Sequence, residues 1–501
     1  MKALFKPTSY HKGAAVAVVA SFIWKFISFL NALLLAFGFG ATAKTDIYFY
    51  LVMLMGFGVS FMQRLNHTVL IPEAIFLRRQ NPAKDQEFLT FCLYAYILFA
   101  GIIIVIGGVF PIQTWQLFSR FDMGALQSQR VLLVAGFCWF SLQLISYYLQ
   151  AVAEMYKFFT TAWLGILNAL CPLVSLLLWG RSIGLLSMVY GFIVANVLQI
   201  LVLGTILKFQ LNWSFNPVYF PLSKRIKQNI ATGQTMALMD IINSLLPLFL
   251  ISAMPGGIIS ALNYCKQLTD SPTEIITTRI CNVLKIELTE NAADKDMAAA
   301  AHNYFKTTHI LLLILTPLVV FTAFFASDIV TLFFKRGAFT SVAAHRTILF
   351  LRPMIITLLF IAVGYVQNNA IAAYRKVKEI FPYTFASALF SVLLFALFLP
   401  LYGAFSYPYL LLAGYGFGFF LNYFFFRNHF PFLPYGRSLL EIFRLAFIGL
   451  CAIIPATLLT VWLPDNVWIR VGICGSLYLG IYIFLLHMSG DIKKLATYAA
   501  K

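Results

Sequence analysis

Residues 260–279 read SALNYCKQLTDSPTEIITTR. They place Lys266, Asp270, Glu274 and Arg279 among apolar segments of a chain that is 61% hydrophobic and only 11% charged. Each residue of an α-helix turns by about 100°, so Lys266, Asp270 and Glu274, spaced four apart, fall within about 80° of one another. Arg279 then lies about 140° from Glu274, off that face. A charge at membrane depth costs roughly 2.5–3.5 kcal/mol on insertion scales, so a charged stripe on such a helix turns toward protein or a water-filled cavity. The stripe therefore predicts a membrane protein whose other helices wall a polar cavity.

The composition agrees. The chain has 501 residues, 51 of them Phe, and a mean hydropathy of +0.85, which predicts an all-α polytopic membrane protein. The basic N-terminus runs directly into an apolar stretch that ends near Gly40, with no small-residue cleavage site before a hydrophilic domain. It reads as a first membrane helix and not as a removed signal. With about 20 mostly apolar residues needed per crossing, helices are expected near 14–39, 46–76, 88–110, 130–152, 157–179, 183–207, 230–253, 256–284, 304–327, 342–372, 380–401, 404–426, 439–463 and 467–488. That makes about fourteen transmembrane helices.

A net charge of +18 would suggest nucleic acid in a soluble protein. Here the placement of the charges says otherwise. With the N-terminus inside, the cytoplasmic loops carry twenty-two Lys and Arg against eight on the opposite side. This positive-inside bias puts both termini in the cytoplasm, and the excess serves orientation and contact with anionic membrane lipids. The seven cysteines are scattered singly through apolar runs, which fits small buried hydrophobes and neither a disulfide framework nor a metal site. There is no phosphate-cradling glycine loop and no extramembrane stretch long enough for a domain, so neither an enzyme nor a bound cofactor is expected.

An internal repeat relates the two halves. Leu117-Phe118, Arg120, Arg130, Tyr148, Gln150 and Tyr156-Lys157 are followed in the same order by Leu332-Phe333, Arg336, Arg346, Tyr365, Gln367 and Tyr374-Arg375. Six helices separate the copies. Two lobes of like orientation around a central site is the logic of transporters built from repeats. The expected division is an N-lobe at 1–222, a C-lobe at 223–433, and two extra helices with a tail at 434–501.

Deep polar residues concentrate on helices one, two, seven and eight. Lys25 shares a face with Ser21 and Ser28, about 16 Å into the first helix, near the midplane. The second helix carries Gln63, Arg64, Asn66, His67 and Glu73. His67 suits a proton relay near neutral pH, although a lone histidine is more often just hydrogen-bonded in place. In the seventh helix Asp240 and Asn243 share a face, and an acid beside an amide suits either a cation or a pairing with Lys25 or Lys266, the pairing being favoured. The cations suit an anionic substrate; the carboxylates balance them or carry a coupling ion.

Two stretches resemble a known family. Gly38-Phe39-Gly40-Ala41-Thr42-Ala43-Lys44-Thr45-Asp46-Ile47-Tyr48-Phe49 is similar to the G-x-G-x-x-T-D-A-F-F run of the MurJ/MviN lipid II flippases, and Leu332-Phe333-Phe334-Lys335-Arg336-Gly337-Ala338-Phe339-Thr340 is similar to their L-F-x-R-G-A-F-T segment. That family belongs to the multidrug/oligosaccharidyl-lipid/polysaccharide exporter superfamily, and fourteen helices in two six-helix lobes match it. Asp46 and Ser260 follow the family pattern. Lys25 stands where the family has the first arginine of helix one, Asn31-Ala32 replaces an Arg-Asp pair, and Val59 replaces a helix-two arginine. The helix-eight D-R-x-x-E becomes Lys266-Gln267-Leu268-Thr269-Asp270, with acid and base nearly exchanged.

The resemblance implies a flippase of the bacterial inner membrane that moves an undecaprenyl-diphosphate glycan to the outer leaflet by alternating access. Lys25, Arg64, Lys266, Ser28 and Ser260 are then candidates for binding the substrate, with Asp46, Asp240, Asn243, Asp270, Glu274 and His67 as coupling or gating groups. The drive would come from the membrane potential, H+ or Na+. Two other readings stay open: export of another polysaccharide-lipid intermediate, and a non-transporting scaffold that recruits glycan-synthesis proteins.

Overall fold

The computed structural model describes residues 10–81 and 84–492. Lys2, Lys6, Lys493, Lys494 and Lys501, which contribute to the charge asymmetry, lie outside the described residues, as do the side chains of Lys12 and Arg225. Every regular element among the described residues is a helix. Eleven helices are long and apolar enough to cross a membrane, and Ser341–Met354 with Thr357–Ala373, bent by 43°, forms a twelfth. The bend follows Pro353, which lacks an N–H for the helical ladder and crowds the carbonyl four residues back. The other two expected helices are also present. They are Lys224–Ile251 and the continuous run from Ile258 to Asp294, which are less apolar because they carry the polar residues singled out above.

Packing divides the chain into two compact units. The first holds the residues up to Leu35 together with Thr42–Ile259; the second holds Ala36–Ala41 and Ser260–Lys501. The seventh helix, Lys224–Ile251, packs with the first unit.

Local geometry repeats between the two units. A short helix, Pro111–Phe118, follows the third spanning helix, and another, Ala326–Phe333, follows the ninth. Lys157 and Arg375, paired by the sequence repeat, both adopt the left-handed conformation, with φ of 65° and 56°. Their hydrogen bonds match as well. The amides of Lys157 and Phe158 reach back to Glu154 and Ala153, and those of Arg375 and Lys376 reach back to Ala372 and Ile371. Both are helix ends closed by a left-handed residue that satisfies the last carbonyls.

In the first unit the core forms around aromatic rings whose polar tips find partners. Tyr96 and Tyr148 stack at 4.7 Å. Tyr148 donates to the Leu89 carbonyl, and Tyr96 to the Asn66 side chain, each at 2.6 Å. Trp213, in the non-helical connection after the sixth spanning helix, donates to Thr90 at 2.9 Å and is buried. Each ring buries enough apolar surface to contribute about 1.5–3 kcal/mol, and the hydrogen bond removes the penalty for its polar end.

The two stretches that carry the family resemblance contribute close backbone contacts. At the start of the second helix Thr42 and Thr45 form a capping box, and Asp46 accepts a hydrogen bond from the Gly257 amide at 2.6 Å. In the second unit the Ala338 amide donates to the Phe37 carbonyl at 2.8 Å, and Tyr264 donates to the Gly40 carbonyl at 3.0 Å. The Tyr264 ring packs on Phe334 and Phe339 at 5.2 and 5.3 Å. Gly40 and Gly337 have φ of +63° and +59°, and a Cβ on either would overlap the backbone of the facing segment. Gly337→Ala is accordingly expected to destabilise the purified protein by about 1–3 kcal/mol, read as a fall in its thermal midpoint. Gly364→Ala, at a helical site with open space around it, should leave the midpoint within the range of ordinary surface changes.

Candidate functional site

In the first unit Lys25 is 8% exposed, with its ammonium 5.7 Å from the Trp24 ring centre. Ser28, one turn further on the same face, is half-buried. The second helix does not run straight through its polar part. After Ala43–Leu65 it makes a π turn, Asn66–Leu70, and resumes as Ile71–Gln80. Pro72 lies just beyond the turn and leaves the Thr68 carbonyl without its usual donor, which favours a widened register there. Tyr96 fixes the start of the turn through Asn66.

This turn sits directly after Arg64. The Arg64 guanidinium pairs with Asp240 of the seventh helix at 2.7 Å, with side chains 42% and 62% exposed. Asp240 therefore meets Arg64, and not Lys25 or Lys266 as favoured from the sequence. Asn243 is half-buried, and its carbonyl oxygen has no hydrogen-bond donor among the described residues. His67, within the π turn, is exposed and lies in electrostatic reach of Glu154, whose carboxylate also accepts from Gln150 at 3.1 Å. Asp46, by contrast, is 2% exposed and bound to the Gly257 amide, so it acts on the backbone of a turn.

In the second unit Ser260 is fully buried near the start of the eighth helix. Lys266 and Asp270 lie in its first α-helical part, Ile258–Pro272, and keep the expected i,i+4 relation. Glu274 falls in a second π turn, Thr273–Thr277, directly after Pro272. The extra residue taken up by that turn rotates the rest of the helix by about one residue, so Arg279 comes closer to the stripe than a straight helix allows. Asp270 is exposed, and Lys266 and Glu274 are half-buried. Tyr365 stands in electrostatic reach of both Glu274 and Asp270, and Tyr415 in reach of Asp270. Among the described residues Lys266 makes no ion pair.

Two features escape a sequence reading. Glu154 is a single acid near the end of an apolar helix, with no local pattern to mark it. His309, Glu441 and Asp491 bring ligand-type atoms within 4.8 Å of one another, yet they stand far apart in the chain. Arg444 bonds both carboxylates, so a guanidinium already takes the place of a cation there.

A family model described as "Lipid II flippase MurJ" matches residues 35–477. No curated protein matches the sequence. Among solved structures, one described as lipid II flippase MurJ in an inward closed conformation superposes with a TM-score of 0.79 at 18% identity, covering 95% of this chain and 99% of that one. An inward-facing MATE family multidrug transporter of the MOP superfamily gives 0.56 at 14% identity, over 80% of this chain and 93% of that one. A MOP superfamily transporter from Pyrococcus furiosus, described as having a binding pocket of reversed polarity, gives 0.56 at 12% identity, over 87% and 95%. At these identities the likeness is one of fold.

The Arg64–Asp240 pair is open to a direct test. Arg64→Ala and Asp240→Ala should be less than additive in a double-mutant cycle on unfolding, with a coupling of about 0.5–1 kcal/mol for so exposed a pair. Strict additivity would mean that the two charges do not interact.

Proposed function

The chain belongs to the lipid II flippase MurJ family, and from that premise we propose that it carries an undecaprenyl-diphosphate glycan from the cytoplasmic to the outer leaflet of the bacterial inner membrane. The family and its structural neighbours are transporters, and the fold is that of a multi-pass membrane protein with many apolar helices. The glycan, the leaflet direction and the cytoplasmic placement of both termini belong to the proposal.

The observation that carries the substrate class is Lys266, half-buried in a polar stretch of the eighth helix and without an ion-pair partner among the described residues. A partly buried ammonium with no counter-ion favours an anionic ligand, since the ligand supplies the charge compensation the protein withholds. Lys25 and Arg64 of the first unit add cations of the same sign. Arg64 differs in that Asp240 already neutralises it, so a diphosphate has to displace a carboxylate there. In this reading Asp240, once released, is able to take a proton or a sodium ion, which would couple loading to ion binding. Asp270 and Glu274, with Asn243 and His67, are further candidates for that role; Asp46, with Ser260 and Ser28, positions helix ends and faces. An inside-negative potential favours outward movement of an anionic headgroup by about 2.3 kcal/mol per charge per 100 mV. Movement itself follows the alternating access of repeat-built transporters.

A second reading, transport of a different polyprenyl-linked glycan, is favoured by the near exchange of acid and base at Lys266 and Asp270 relative to the family pattern. Complementation of a strain depleted of its own lipid II flippase separates the two readings, since only a lipid II carrier restores growth. In reconstituted vesicles Lys25→Ala and Lys266→Ala are each expected to lower flipping of a polyprenyl-diphosphate glycan by at least about tenfold while insertion and folding stay intact. Full activity in both variants would show that these cations do not hold the substrate.

A further inference from the structure

One connection in the first unit lies along a spanning helix instead of crossing the end of the bundle. Residues 211–223 join the helices Leu186–Gln210 and Lys224–Ile251 without regular structure. Their contacts follow the third spanning helix, Lys84–Val109. Gln86 donates to the Leu211 carbonyl at 3.4 Å, Thr90 accepts from Trp213 at 2.9 Å, and Tyr94 donates to the Phe215 carbonyl at 2.7 Å. The chain then turns back, with Tyr219 packed on Phe91 at 6.3 Å and Phe220 on Phe88 at 5.3 Å. With a rise of about 1.5 Å per residue, the tip beside Tyr94 reaches about 10 Å beyond Glu87, the last charged residue of that helix.

The dipping segment keeps an apolar surface outward. Tyr219 is 83% exposed, Phe209 just before the segment is 74% exposed, and Val218 is exposed as well. Much of its backbone is unpaired. The amides of Ser214, Phe215, Val218 and Tyr219 find no hydrogen-bond acceptor among the described residues, and Pro217 and Pro221 have no amide to donate. Irregular backbone facing lipid is not tolerated within the hydrocarbon core. It suits the headgroup layer, where phosphate and ester oxygens accept from free N–H groups.

The charges around the segment are nearly all of one sign. Between Glu154 and Asp240 the sequence holds no Asp or Glu. Lys208, Lys224 and Lys227 flank the segment and are exposed, as is Lys157, which follows the Tyr156 ring that meets Trp213 at 6.0 Å. None of these lysines forms an ion pair among the described residues. On the adjoining helix Asp85 is buried and held by Tyr156 at 2.6 Å and by Arg78 at 3.9 Å, and Glu87 is exposed. Free amides, ammonium groups and an exposed aromatic tip together match a partner that is anionic, accepts hydrogen bonds and carries acyl chains. We propose that residues 209–222 form a wedge seated in the headgroup layer of the leaflet at this end of the first unit, where it gathers acidic phospholipids. Phosphodiester oxygens meet the flanking lysines and the free amides, while Phe209, Val218 and Tyr219 rest against the upper part of the acyl chains. The wedge is independent of what the protein transports and of the cations proposed to hold that substrate.

The test uses the full-length protein with Val218→Cys carrying a fluorophore, in bilayer nanodiscs of phosphatidylcholine with a minority of phosphatidylglycerol. Signal from the native cysteines, measured without Val218→Cys, is subtracted. Quenching by a nitroxide on the lipid headgroup should exceed quenching by one at mid-chain by at least about twofold. A nitroxide near the glycerol end of the chain, carried in turn by phosphatidylglycerol and by phosphatidylcholine at equal mole fraction, then reads local enrichment. The acidic lipid should quench about threefold more strongly, and that ratio should fall to about one in Lys208→Gln/Lys224→Gln/Lys227→Gln and at high salt. Lys285→Gln, which changes an exposed lysine of the second unit, should keep the ratio. A label that neither nitroxide quenches, stronger quenching from mid-chain, or equal quenching by the two lipids before any lysine is changed would overturn the proposal. So would an unchanged ratio in the triple variant, or its loss in Lys285→Gln.

Discussion

A full charge set into an apolar helix bundle has to be matched by a counter-charge, a ligand or water, and that constraint orders the polar parts of this molecule. Each deep charge meets it differently. Arg64 is matched by Asp240 across two helices at 2.7 Å. Glu441 and Asp491 are matched by Arg444 and His309 in a buried network. Asp46 is matched by a backbone amide, and so behaves as part of a turn. Lys266 has no ion pair among the described residues. In the reading proposed above, an anionic ligand would supply that match.

Backbone irregularity falls where these charges sit. Both interior π turns, Asn66–Leu70 and Thr273–Thr277, occur in helices that carry site residues, and each adjoins a proline, Pro72 or Pro272. A proline removes one donor from the ladder, and the wider turn spreads the disturbance over five residues. The phase of the side chains shifts as a result. His67 and Glu274 are inside the turns, so their directions depend on the turn geometry more than on helical spacing. Such turns are also places where a helix changes register at modest cost, which would suit the alternating access proposed above.

The fold was legible in the sequence because its signal is long. Runs of about twenty apolar residues survive any local detail, and the expected helix near 467–488 coincides with Val467–Met488. The seventh and eighth helices were legible too, though their polar residues leave them less apolar than the rest. The repeat was legible from a few residues, of which Lys157 and Arg375 turn out to hold the same left-handed conformation. Partnership was not legible. Which acid meets Arg64 depends on how two helices pack, and spacing within one helix carries no information on that. The His309 network draws on residues 132 positions apart, and Asp491 lies past the last spanning helix, where sequence reads only a tail. The straight-helix angle for Arg279 took no account of the π turn after Pro272.

In the proposed reading, lysine at positions 25 and 266 bears on how each would hold a phosphate. Arginine offers a planar fork that grips a phosphate in two places, whereas lysine offers a compact point charge on a flexible stem. A lysine therefore attracts a diphosphate strongly but orients it weakly. Arg64, the residue with the fork, is held by Asp240 until something displaces it. Orientation of the headgroup then depends on the loading step and not on the resting site. It follows that a diphosphate too weak to compete with a carboxylate would be held by charge alone, and such binding weakens steeply with ionic strength. A substrate that wins the exchange gains both the fork and a released Asp240. In the proposed reading, discrimination among anionic lipids would thus lie in that competition at Arg64.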